Sequence, residues 1–210
     1  KFGANGTKVL PNFTVATNAK EFKAVVHRIP SKFHFFGFDF GFETSFNALI
    51  SCCVDDAEKV LYIYDEVYMN NITDDKFSKR DDVQKVKERS IALDKPIVCD
   101  SAEPKTIKYY RQEGFYVKKC KKYIGSRLQN TKKIKRFKKI VCSPRCVNTI
   151  IELKDLVYAK DTKDEPIYDQ FNIDPHTFKN TTSLGVYKRM EESGKAEMLI
   201  RTEVIWCMAV

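Results

Sequence analysis

The sequence predicts an α/β fold built on one mixed sheet, three antiparallel strands followed by parallel strands, with helices flanking it. Three observations predict it. Apolar runs of strand length (Phe33 to Phe40, Asn47 to Val54 and Val60 to Val67) follow one another across short links. From Asp74 onward, helix-length amphipathic segments alternate with short apolar words, the pattern of parallel strands joined by crossovers. Finally, 210 residues with 43% hydrophobic content suffice for one full core.

Residues 1–31 mix Gly, Asn, Pro and Thr with short apolar words such as Val9-Leu10, and read as an extended arm or linker. The compact domain is expected over 32–180. Its first strand, Phe33 to Phe40, is a strongly apolar run that contains Gly37 and carries Asp39 near its end. Asp55 and Asp56 supply the turn between the second and third strands, so the three should form an antiparallel meander.

Asp74 to Leu93 reads as one amphipathic helix with Phe77, Val83, Val86, Ser90 and Ile91 near one side. Pro96 to Asp100 is a short buried strand, whose natural placement is parallel to the first. Pro104 to Glu113 is a helix stopped by Gly114, and Phe115 to Lys118 another short strand. A helix starting near Gly125-Ser126, a strand at Ile140 to Cys142 and a helix within Pro144 to Tyr158 follow. Asp161 to Asp174 reads as polar and turn-rich, Thr177 onward as weakly helix-like, and 181–210 shows no clear structure. The order of elements is that of ribonuclease H.

Composition narrows the function. The net charge is +9, yet the segment from Lys118 to Lys139 alone holds 11 Lys and Arg and no acid, leaving a net −2 on everything else. Such a segment suits a polyanion, through Lys118, Lys119, Lys121, Lys122, Arg127, Lys132, Lys133, Lys135 and Arg136. A solvated helix face is the alternative, although solvated helices usually mix signs. Tyr123 and Phe137, interleaved in the run, could stack on bases or anchor the core. The seven cysteines lack paired zinc spacing and read mostly as reduced, buried thiols. With no apolar run near membrane length and no signal-peptide core, a soluble intracellular chain without a membrane role is expected.

Two residues could carry chemistry. Asp39 and Asp100 each end an apolar strand, where a buried carboxylate needs a metal, a cation or water. If those strands are neighbours, the carboxylates stand on adjacent tips at the carboxyl ends, where α/β folds gather ligands, and oxygen donors of this kind suit Mg²⁺ or Mn²⁺. Alternatively, both simply cap the turns that follow. No phosphate-binding GxxxxGK[ST] loop occurs, and His27, His34 and His176 lie beside no nucleophile elbow, so ATP hydrolysis and Ser-His-Asp catalysis are not supported. Cys142 and Cys146 form a CxxxC without a partner pair.

Several segments carry a family resemblance. Val9-Leu10-Pro11-Asn12-Phe13, Gly37-Phe38-Asp39-Phe40-Gly41, Asp100-Ser101-Ala102-Glu103-Pro104-Lys105, Gly125-Ser126 with its basic sequel, and Cys146 to Leu153 together resemble the C-terminal nuclease domain of the large terminase subunit of tailed bacteriophages. The likeness covers about 8–178. It implies a ribonuclease H-like fold and metal-dependent cleavage of concatemeric double-stranded DNA during genome packaging, with two Mg²⁺ or Mn²⁺ ions.

It further implies a preceding ATPase domain, the terminase small subunit and portal protein as partners, and the host-cell cytoplasm as location. In such domains the site ends in His-x-x-Asp. Here Lys179 stands three residues after His176, so Asp174 is the candidate third metal ligand and His176 a proton-transfer or supporting group; alternatively, Asp174 merely caps a helix ahead of Pro175. The lysine also leaves open a catalytically weak nucleic-acid-binding or motor-assembly module with the same fold.

Overall fold

In the computed structural model the described residues are 6–41, 46–99, 103–120 and 132–172. They build a seven-stranded sheet. Its strands are β1 (Phe13–Val15), β2 (His34–Asp39), β3 (Phe46–Asp55), β4 (Val60–Asn70), β5 (Ile97–Cys99), β6 (Val117–Lys119) and β7 (Lys139–Cys142), in the spatial order β1-β7-β4-β3-β2-β5-β6. The helices are α1 (Ala19–Arg28), α2 (Asp74–Ser78), α3 (Asp81–Ala92), α4 (Pro104–Gln112) and α5 (Val147–Asp155), and β8 (Val157–Lys160) pairs with β9 (Pro166–Asn172) as a separate antiparallel hairpin.

The expected meander is present: β2 pairs antiparallel with β3, and β3 with β4. β5 pairs parallel with β2, and β6 with β5, as a crossover through α4 requires. On the other side β7 joins β4, and β1 joins β7, both parallel. Among the described residues only β3 therefore runs against the other six strands. This is the mixed, helix-flanked sheet the sequence predicts, with the carboxyl ends of those six strands gathered at one end.

The two faces bury separate apolar clusters. One holds Phe36, Phe38, Leu49, Val67, Phe77, Val83, Val86, Ile97, Ile107 and Tyr110, joining the sheet to α2, α3 and α4. The other holds Ile50, Cys52, Leu61, Ile63, Ile140, Cys142 and Leu153, under α5. Aromatic contacts tie the first together, with Phe38 stacked on Phe77 at 5.3 Å and meeting Tyr110 edge-on at 5.2 Å. Cys52, Cys53, Cys99, Cys142 and Cys146 are buried thiols outside any disulfide, as expected of cysteines used as small apolar side chains. No helix among the described residues is long and apolar enough to cross a membrane.

Four segments differ from expectation. Within the segment expected as an arm, the described residues from 6 onward belong to the fold: Val9 and Leu10 are buried in the α5-side core, Phe13–Val15 supplies an edge strand, and Asn18 caps α1 by accepting from the amides of Lys20 and Glu21. Short apolar words there pair with a strand more than a hundred residues distant, which local patterning cannot register.

The single helix over Asp74 to Leu93 is two helices, because Arg80 is extended (φ −67°, ψ 142°). Its guanidinium holds Asp82 at 2.6 and 2.9 Å, and Gln84 Nε2 donates to the Ser78 carbonyl at 2.6 Å, so the polar groups at the break are satisfied. Ile91 points outward, 51% exposed. The helix expected within Pro144 to Tyr158 ends at Asp155, since Leu156 is extended and Val157 begins β8. The stretch from Asp161 is a turn only as far as Glu165, where Asp164 at φ 67° and the Lys160–Asp164 ion pair close a hairpin into β9. The helix expected from Gly125-Ser126 and everything from 173 onward lie outside the described residues.

Candidate active site

Asp39 closes β2 and is only 7% exposed, set between the apolar strands β3 and β5. Two residues on, the Gly41 amide donates at 3.0 Å to Oδ1 of Asn47, itself buried. The parallel register between β2 and β5 runs Phe36 to Ile97, Gly37 to Val98 and Phe38 to Cys99. It thus reaches the residues immediately before Asp39 and Asp100. The two strands are neighbours running in the same direction, the condition for two carboxylates on adjacent tips. Asp100, Asp174 and His176 lie outside the described residues, which hold no group of three or more His, Cys, Asp or Glu able to cage a metal. The described donor at the strand tip is a carboxylate, which fits a hard divalent cation.

Cross-strand register places Asp39 opposite Ala48, and Ala48 opposite Tyr68. Directly opposed residues in antiparallel strands project to the same face, so Asp39 and Tyr68 flank the small Ala48 on the α5 side, roughly 10 Å apart at their Cα atoms. The Tyr68 hydroxyl donates to Glu152 of α5. One row back, Glu66 opposes Ile50 and receives the first turn of α5: the amides of Asn148 and Thr149 at 2.9 Å each, Asn148 Nδ2 at 3.0 Å and the Thr149 hydroxyl at 2.7 Å. A carboxylate there complements the positive end of the helix. Helix α5 is thereby fixed along β4 and leads toward the Asp39 edge.

Sequence reasoning missed Glu66, Tyr68 and Glu152. The reason is a bulge at Ser51/Cys52, across which Tyr64 is extra. Ile63 pairs with Cys52, and Glu66, three residues on, with Ile50, so both lie on one face despite opposite parity. A strict alternation places Glu66 on the wrong side. A run of polar residues closing an apolar strand is the signal that could have raised the question.

The basic segment divides. Lys118 and Lys119 end β6, with Lys119 paired to Cys99, and both are exposed at the Asp39 edge. Lys132, Lys133, Lys135 and Arg136 precede β7, whose Lys139 pairs with Val60, the opposite end of the sheet. Lys135 is engaged: its ammonium donates to the Tyr158 hydroxyl at 2.8 Å and lies over the same ring. Phe137 packs against the α5-side core and also lines a surface cavity. Lys121, Lys122, Arg127 and Tyr123 lie outside the described residues.

Comparison with known proteins bears on this arrangement. Residues 39–180 match the family described as Terminase RNAseH like domain. The chain is 48% identical over 177 residues, 84% of its length, to the PBSX phage terminase large subunit of Bacillus subtilis strain 168, and it spans 39% of that relative's length. Among solved structures, the nuclease domain of the large terminase from bacteriophage SPP1, crystallised with bound Mn, superposes with a TM-score of 0.66 at 22% identity. The superposition covers 86% of this chain and 98% of that one, and concerns the fold.

Proposed function

Because the chain belongs to the Terminase RNAseH like domain family of phage large terminases, we propose that it is a metal-dependent DNA endonuclease that cuts concatemeric double-stranded viral DNA during genome packaging, with little sequence preference. The observation that carries the reading is the parallel pairing of β2 with β5 up to Phe38 and Cys99, one residue before each candidate carboxylate. Support for the metal comes from the SPP1 nuclease domain, whose structure holds Mn.

Asp39 and Asp100 would hold Mg²⁺ or Mn²⁺, with Asp174 as third carboxylate and His176 beside it. Two such ions supply an activated water and charge neutralisation for in-line phosphodiester hydrolysis. The chain itself buries Asp39 away from bulk water and ties Gly41, two residues beyond it, to Asn47 of β3. Lys118 and Lys119, exposed at the same edge, would hold backbone phosphates. Phosphate contacts position DNA without reading its sequence, which accounts for the low base preference. By the same reading the protein works in the host-cell cytoplasm with a terminase small subunit and a portal protein.

The test is nicking of supercoiled plasmid with Mn²⁺ or Mg²⁺ and its suppression by a chelator. A chain that binds plasmid but never nicks it would instead be the binding or assembly module that Lys179 allows.

A further inference from the structure

At the end of the sheet away from Asp39 lies a cavity of about 270 Å³. Its walls are Phe33, Phe35, Val54 and Phe137, and its rim carries Lys59, Lys133, Arg136 and Asp56. Phe35 is four residues before Asp39 on β2, so their Cα atoms stand roughly 13 Å apart. It is built from separate elements: the turn before β2, the β3–β4 hairpin and the segment leading into β7. The Lys138 amide donates to the Lys59 carbonyl at 2.9 Å and Asn12 Nδ2 to the Phe137 carbonyl at 2.6 Å, fixing that segment against the sheet.

Charge and shape together indicate the occupant. Asp56 is already paired with Lys59 at 2.6 Å, which leaves the rim's net positive charge with Lys133 and Arg136. The Arg136 amide donates to the Lys133 carbonyl at 3.1 Å, a one-turn bond that sets the two cations on one side. The cavity gathers Phe33, Phe35 and Phe137 with Lys133 and Arg136, and Lys32 Nζ stands over the Phe33 ring at 4.8 Å, so the lining suits a ligand that is flat and apolar in one part and anionic in the next. An unpaired nucleotide has that form: a base to stack and a phosphate to neutralise. A duplex keeps its bases stacked inside and offers the cavity only phosphates.

We propose that this cavity is a subsite for an unpaired nucleotide of a DNA strand, with its base against Phe137 and its neighbours and its phosphate on Lys133 and Arg136. The proposal rests on the reading of the chain as a DNA nuclease, and adds a second contact, distant from the cutting site and selective for single-stranded character. The basic segment would then serve DNA in two ways, by duplex phosphates near Asp39 and by an unpaired strand at the far end.

The experiment compares fluorescence anisotropy of oligothymidylate and of a blunt duplex on the whole chain. Phe137→Leu, which keeps an apolar filler without the ring, should weaken oligothymidylate about tenfold, within the range for losing one stacked base, and weaken the duplex less. Phe33→Leu guards against a folding artefact at Phe137, and thermal melts check both. Replacing Lys133 and Arg136 with Ala should lower the salt slope for oligothymidylate by about 1.4. Oligothymidylate carrying 5-iododeoxyuridine should photocrosslink to Phe33, Phe35 or Phe137, mapped by peptide mass spectrometry.

Unchanged oligothymidylate affinity in the variants, or crosslinks only elsewhere, overturns the subsite even if wild-type chain nicks plasmid. Displacement of oligothymidylate by polyglutamate at equal charge also overturns it, in favour of an acidic protein partner. Failure of the wild-type chain to bind or nick duplex overturns the nuclease reading instead, and the crosslink then decides the subsite by itself.

Discussion

Glu66 on β4 accepts both the backbone amide and the hydroxyl of Thr149, at 2.9 and 2.7 Å, and so joins the sheet to the first turn of α5. Asn148 adds two more donors to the same carboxylate. Glu66→Ala would leave these groups without their acceptor in a half-buried setting, at a cost of about 2 kcal/mol. Glu66→Gln keeps one acceptor oxygen and should cost less. Urea midpoints that do not move in either variant would show that water replaces the carboxylate at no loss.

The link also explains how much was legible in the sequence. The meander and the placement of β5 beside β2 could be read because each strand is a local apolar run and the crossover rule leaves one natural partner. Asp39 was legible for the same reason, as a charge ending such a run. Glu66 and Tyr68 were not, since the bulge beside Tyr64 reverses the parity on which a strand-face argument depends. β1 and α1 were missed because Val9, Leu10 and Phe13 gain their value only from the α5-side core, a long-range fact. The basic segment looked like one patch, whereas the sheet separates its ends.

Asp39→Asn should abolish metal-dependent plasmid nicking while leaving the chain folded, because the amide has the size and shape of the carboxylate it replaces at a site only 7% exposed. Nicking by Asp39→Asn at the wild-type rate in Mn²⁺ would end the nuclease assignment.

The four basic residues before β7 should not behave alike. Lys132, Lys133 and Arg136 changed together to Ala should lower the salt slope of oligothymidylate binding by about 2.1 and that of duplex binding by less. Lys135→Ala should leave the slope nearly unchanged and cost about 1 kcal/mol of stability, because its ammonium is held on Tyr158. A slope that falls by the same amount for every single substitution would contradict the division.

His34 gives the fold a pH dependence. Burial holds its imidazole below the ordinary value of 6.5, with Arg89 and His27 adding to the shift against the Ile29 carbonyl contact. Its ring nitrogens lie 3.1 Å from that carbonyl and 3.2 Å from the Tyr64 hydroxyl. The unfolded chain thus binds a proton that the folded chain refuses. Stability from this group is complete above the unfolded value of 6.5 and declines as pH falls below it toward the folded value, by at most about 1.4 kcal/mol per pH unit. His34→Gln should flatten urea midpoints between about pH 7.5 and about pH 5.5. An identical pH profile in the variant would assign the dependence to other groups.

The last prediction concerns the third carboxylate, where the sequence offers Asp174 before His176 and Lys179 after it. Two divalent cations beside one or two carboxylates leave excess positive charge, so a third acid should be felt most strongly in the binding of the second ion. If Asp174 is the ligand, Asp174→Asn should reduce the number of Mn²⁺ ions bound per chain, read by electron paramagnetic resonance without any DNA present, and should reduce nicking in parallel. Lys179→Asp should then change Mn²⁺ binding little. The opposite pattern, with Asp174→Asn silent and Lys179→Asp gaining both an ion and activity, would identify position 179 as the place where a ligand is missing, and Asp174 as no more than a cap ahead of Pro175.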